Sequence, residues 1–271
     1  MKKLFIILST MILACCCTQN KAPKVLVLYY SQTSNTKAVA EELQGKLGAD
    51  IAEIVPVVAY DGDFMATIER SRKEYEDGTL PEIKPLSVDL KSYDIIFLGF
   101  PVWFGTYAVP VATVLEDPGF AGKKVVPFCT FGSGGLESST EAIKAKLPDS
   151  EILPGYGVRA ARIAAAPAEI DRFLKENGYI EGEFEPLEEF SEAHPASEEE
   201  AAVFDAAVGD YPMINAKAEE VASRPVPGGM EYRFVARDIP RDPAFEGMSG
   251  TITVYVVAPE GQAPEFTRVV R

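Results

Sequence analysis

The chain has 271 residues, with 41 Asp and Glu against 26 Lys and Arg, a formal net charge of −15 and a pI near 4.6. That length allows one large domain or two of ordinary size. The acidic balance has the wrong sign for a nucleic-acid backbone, so nucleic acid is excluded as a partner. A single histidine, His194, rules out His-rich zinc centres and Ser-His-Asp nucleophile systems.

Lys2 and Lys3 precede an apolar run from Leu4 to Ala14, a charged start and short hydrophobic core that suit export. The run is shorter than the roughly 20 residues needed to span a bilayer. Ile12-Leu13-Ala14-Cys15 resembles the lipobox of bacterial lipoproteins. The resemblance implies a signal peptide over residues 1–14, lipidation of Cys15 and a polar tether over residues 15–23. The expectation is a protein exported and anchored to a bacterial membrane by acyl chains, on the periplasmic side or cell surface. An ordinary cleaved signal peptide is the alternative. Cys16 and Cys17 belong to the same cluster, so Cys129 is the one cysteine of the folded part and no internal disulfide framework is expected.

From Lys24 onward, strand-like and helix-like runs alternate. Val25 to Tyr30 is continuously apolar, as in a strand covered on both faces. Ser31-Gln32-Thr33-Ser34-Asn35-Thr36 follows, and residues 36–47 then show helical spacing through Val39, Leu43 and Leu47 before Gly48. A helix N-terminus offers unpaired N–H groups and a positive dipole end. A hydroxyl-rich loop without arginine suits a phosphate held there, although simple N-capping explains the same residues. Residues 51–58 read as a second strand and 64–75 as a helix, with a Pro-containing loop to Leu86. Residues 93–100 form the clearest strand.

Pro101-Val102-Trp103-Phe104-Gly105-Thr106-Tyr107 comes next and holds the only Trp of the chain with two further aromatics. At the ligand edge of a sheet these suit a planar partner, with Gly105 allowing close backbone approach; a loop packed on its own domain is the alternative. Residues 109–115 are helical and 124–130 a fourth strand. Thr130-Phe131-Gly132-Ser133-Gly134-Gly135 follows, small enough for close contact with a ligand or simply a flexible turn. Residues 138–147 are helical, 152–158 a fifth strand and 167–177 a helix ended by Gly178. Such alternation implies a parallel sheet with helices on both sides and a ligand site beyond the carboxyl ends of its strands.

Three such loops after successive strands resemble the flavodoxin family, over residues 24–178. The first loop is similar to the family's phosphate pattern T/S-x-T-G-x-T. The resemblance implies that Ser31, Thr33, Asn35 and Thr36 hold the phosphate of FMN, with Gln32 and Ser34 in the same loop. Ser34 stands where the pattern has Gly, so a positive φ there would strain it. Gly99 to Gly105 resembles the second loop, placing Pro101, Val102, Trp103, Phe104 and Gly105 beside the flavin ring with Trp103 as the stacking candidate. Thr130, Phe131, Gly132, Ser133 and Gly134 would cover the ring's other edge. The resemblance implies a doubly wound α/β fold with a five-stranded parallel sheet in the order 2-1-3-4-5. It also implies FMN as cofactor and electron transfer with an unidentified redox partner. An NAD(P)H-dependent quinone-type oxidoreductase and a non-catalytic lipoprotein that has lost the flavin are the alternatives. No G-x-G-x-x-G follows the first strand, which argues against a Rossmann NAD site. Tyr107 is a marginal acid–base candidate, and Tyr60 and Asp61 lie within reach of the flavin edge.

Residues 179–271 differ in character. Residues 181–210 are acidic with no Lys or Arg, and 198–208 read as an amphipathic helix with an acidic start. Met230, Tyr232 and Phe234 alternate with Glu231 and Arg233, and residues 251–257 and 266–270 read as further strands. One helix and antiparallel strands make a small α+β domain. Arg224 to Tyr232 resembles the first binding hairpin of cystatins, with Arg224, or Pro225 if Gly229 is the matching glycine, in place of the usual Gln and no Trp for a second hairpin. That resemblance implies shape and not peptidase inhibition.

Overall fold

The structure is a computed structural model and describes residues 22–60, 64–209, 211–239 and 250–271. Cys15 with the rest of the leader, Asp61 and Asp210 lie outside the described residues. The first unit runs β1 (Val25–Tyr29), α1 (Asn35–Leu47), β2 (Asp50–Glu53), α2 (Phe64–Asp77), β3 (Ile95–Trp103), β4 (Thr106–Tyr107), α3 (Val109–Val114), β5 (Lys124–Phe131), α4 (Leu136–Lys146), β6 (Glu151–Ile152), β7 (Tyr156–Arg159) and α5 (Ala166–Glu176).

Strand β1 shows why the sheet is covered on both faces. Leu26 and Leu28 point into one apolar cluster and Val27 and Tyr29 into another, as the period of two requires. Helices α3 and α4 close the first face through Val111, Val114 and Ile143. Helices α1 and α5 close the second through Val39, Leu43, Ile170 and Leu174. The parallel order is β2-β1-β3-β5, with β6 and β7 sharing the last position beside β5. This is the expected 2-1-3-4-5 order.

Three elements depart from expectation. The second strand ends at Glu53, and beyond it only an isolated bridge joins Pro56 to Ile83. The third strand continues to Trp103 and folds back through β4 as a hairpin. The fifth strand is broken over residues 153–155, opposite Val126 and Pro127 of β5. Pro127 has no N–H to donate to a ladder, and three residues face two there, which makes a bulge.

The second unit contains β8 (His194–Pro195), α6 (Glu198–Val208), β9 (Ala216–Val226), β10 (Gly229–Asp238), β11 (Thr251–Pro259) and β12 (Glu265–Val270). Its strands form an antiparallel sheet in the order β12-β11-β10-β9-β8. Helix α6 covers one face, with Phe204 edge-on to Phe234 at 5.3 Å between ring centres. Tyr179 and Ile180 still belong to the first core, Tyr179 meeting Phe97 at 5.1 Å. The acidic segment that follows is pinned to the other sheet face by Phe190, which lies under the Arg224 and Arg233 guanidinium groups.

Candidate functional site

The first loop delivers an uncapped helix start. Ser34 precedes α1 with φ 67° and ψ −4°, and its side chain makes no capping hydrogen bond. The strain foreseen for a Ser at this position is therefore present. The Ser31 hydroxyl accepts from the Lys37 N–H at 3.2 Å. Among the described residues, the Thr33, Ser34, Asn35 and Thr36 amides have no partner within the protein. Those donors, the exposed Thr33 and Ser34 hydroxyls and the dipole of α1 form a neutral cradle for an anion. The Thr36 hydroxyl is buried and meets the Thr130 hydroxyl at 2.8 Å, fixing the first loop to the third. Gln32 has another task. Its amide accepts from the Tyr30 hydroxyl at 2.6 Å and donates to the Tyr60 carbonyl, so the side chain ties β1 to the segment after β2.

The second loop is a hairpin tip. Val102 pairs with Tyr107 and Trp103 with Thr106, leaving Phe104 and Gly105 as the two turn residues, with φ 51° and 80°. Positive φ at both places is the signature of a type I′ turn, which favours Asn, Asp or Gly at its first position. A Phe there costs on the order of 1–2 kcal/mol, and it stands 45% exposed. Trp103 faces elsewhere. It is half-buried and packs edge-on against Tyr30 at 5.7 Å and Tyr60 at 5.2 Å. Phe104, rather than Trp103, is the aromatic at the mouth of the adjoining cleft. The Gly105 carbonyl accepts from the Ser138 hydroxyl, which holds the hairpin against α4.

The third loop closes that cleft. Thr130 and Phe131 are buried and point inward, whereas Gly132, Ser133 and Gly134 line an opening of about 670 Å³ opposite Val102, Phe104 and Gly105. Pro101 is half-buried and anchors the hairpin base, its carbonyl accepting from the Ala108 N–H at 3.1 Å. The cleft volume falls in the range of about 300–1,000 Å³ usual for small-molecule sites. The remaining candidates serve structure. Tyr60 is buried and donates to Glu74 beneath the Arg70 guanidinium. Burial pushes the Tyr107 phenol up, so it stays protonated at neutral pH. Cys129 is a buried, free thiol, pushed well up by the same cause.

Residues 24–167, more than half of the chain and all three loops, match the sequence pattern of the flavodoxin family. The chain belongs to the flavodoxin family. It is 29% identical over 191 residues to the flavodoxin-like domain-containing protein BilS of Clostridioides difficile (strain CD3), a match covering 67% of this chain and 93% of that protein. It is 30% identical over 119 residues to Flavodoxin 1 of Escherichia coli K12, covering 42% of this chain and 52% of that one, about half its length. Among solved structures, a candidate flavoprotein from Bacteroides uniformis ATCC 8492 superposes with a TM-score of 0.50 at 28% identity, covering 56% of this chain and 99% of the other. The second unit lies beyond the flavodoxin match. The I′ hairpin is signalled in the sequence by Gly105 alone, at the second turn position.

Proposed function

We propose that the flavodoxin unit binds FMN and that the protein is a redox carrier or enzyme working through it. One observation carries the reading: a helix start with four amides unpartnered among the described residues is tied, through the Thr36–Thr130 contact, to the loop whose next residues line a cleft sized for a planar ring. In this account the Thr33 to Thr36 amides and the exposed Thr33 and Ser34 hydroxyls hold the phosphate. Val102, Phe104, Gly105 and the Gly132 to Gly134 backbone hold the ring. Bound FMN supplies reversible electron transfer, while the chain positions it and shapes its access. The Thr36–Thr130 contact keeps phosphate loop and ring loop in register. Glu137 lines the same cleft and is offset by Arg268 at 3.6 Å. The flavin implied by the names of Flavodoxin 1 and of the Bacteroides uniformis flavoprotein supports this reading.

The test is an FMN titration of the purified protein followed by fluorescence of Trp103, the chain's single Trp. Saturable quenching is expected, because the neighbouring Val102 and Phe104 wall the cleft. A folded protein whose fluorescence ignores FMN would overturn the reading.

We also propose attachment to a membrane through Cys15, on the strength of the leader pattern. Among the described residues no helix is long and apolar enough to cross a membrane. Cys15→Ser is expected to abolish palmitate labelling and release the protein from the membrane fraction. Unchanged labelling would contradict the assignment.

A further inference from the structure

Two glycines of the third loop, Gly132 and Gly134, are explained by the second unit before any ligand is considered. A Cβ on Gly134 would collide with the Val269 carbonyl oxygen of β12, and one on Gly132 would lie 2.8 Å from the Tyr211 hydroxyl. The contact is hydrogen-bonded as well as close. The Val269 N–H donates to the Ser133 carbonyl at 2.6 Å. Arg159 donates to the carbonyls of Gly132 and Phe266, both at 2.9 Å, with its guanidinium 3.4 Å over the Phe266 ring. Loop three therefore runs along the free edge of β12, the position where an open sheet would accept another strand.

This docking sets a second wall across the cleft. Tyr211, Met213, Val270 and Arg271 face Val102, Phe104 and Gly105. The Arg271 guanidinium donates to the Met213 carbonyl at 2.7 Å and so ties the wall together. Met213 is 63% exposed and stands with Phe104 at the opening. An exposed Met is a flexible apolar surface that adapts to a flat partner.

We propose that the second unit is part of the flavin site: Tyr211, Met213 and Arg271 form the wall that faces the isoalloxazine ring, and the ring is reached through the opening between Phe104 and Met213. The proposal rests on the FMN reading given above. It adds that the ring lies between two units.

The test uses the full chain loaded with FMN and a Trp placed at the wall. An indole in contact with a flavin quenches its fluorescence by electron transfer, an effect lost within a few ångströms. Met213→Trp is expected to lower bound-flavin fluorescence at least threefold relative to the unaltered holoprotein. Glu260→Trp serves as the control, since Glu260 is exposed at the hairpin tip where β11 and β12 meet, the opposite end of the sheet from Met213. It is expected to leave the fluorescence unchanged. Equal fluorescence in Met213→Trp and the unaltered protein, with FMN bound to both, would overturn the wall and leave the FMN reading standing. Failure of the unaltered protein to hold FMN would overturn both.

Discussion

Two residues of the site sit in backbone conformations that their side chains disfavour, Ser34 at φ 67° and Phe104 at φ 51°. Both flank the cleft or the anion cradle, and both persist because neighbouring structure fixes them. Ser34→Gly is expected to raise stability by about 1 kcal/mol, since glycine adopts this region without the clash. Denaturant unfolding of the two proteins checks it. A loss of stability would show that the Ser34 side chain contributes more than the backbone strain costs. The strain at Ser34 was legible in the sequence because the phosphate pattern carries Gly at that place. The direction of Trp103 was not. A lone Trp beside a ligand loop reads equally as a stacking surface or as core, and only the packing of Tyr30 and Tyr60 around it decides for core.

Among the elements, long helices and apolar strands were readable, because each carries its own period of burial. Helix α6 was found at its full extent, and its start is a capping box. The Ser197 hydroxyl accepts from the Glu200 N–H while the Glu200 carboxylate accepts from the Ser197 N–H. That N–H, with the Ser197 hydroxyl and His194 nearby, holds the Glu200 carboxyl below its ordinary value of 4.5. A lowered folded-state pKa stabilises the fold above the unfolded value, and the gain disappears as pH falls through the lowered one. The stability difference between the natural protein and Glu200→Gln should thus be full near neutrality and shrink below about pH 4.5. A difference that grows on acidification would contradict the cap. The breaks were harder to read. Pro127 is visible in the sequence, but its consequence falls on the neighbouring strand, whose register depends on residues some 25 positions away. The β3–β4 hairpin was hidden for a related reason, since Phe is not a residue that announces a I′ turn.

At the scale of the whole molecule, the parallel sheet followed from the alternation of elements and its strand order from the family resemblance, whereas the meeting of the two units followed from neither. A Gly-rich loop looks the same whether a ligand or a strand edge presses on it, and the Val269 N–H that meets Ser133 comes from more than 130 residues further along. Gly134→Val tests that meeting. Its side chain collides with the Val269 carbonyl, so the units should separate and protease cutting within residues 181–193, which join them without regular structure, should speed several-fold. Unchanged cutting would mean that loop three is not where the units are held.

The most direct measurement of the central claim is the visible absorption spectrum of the full chain after incubation with FMN and removal of the free cofactor by gel filtration. The account predicts a retained flavin spectrum, shifted from that of free FMN, at one flavin per chain. A folded protein that emerges colourless would contradict it.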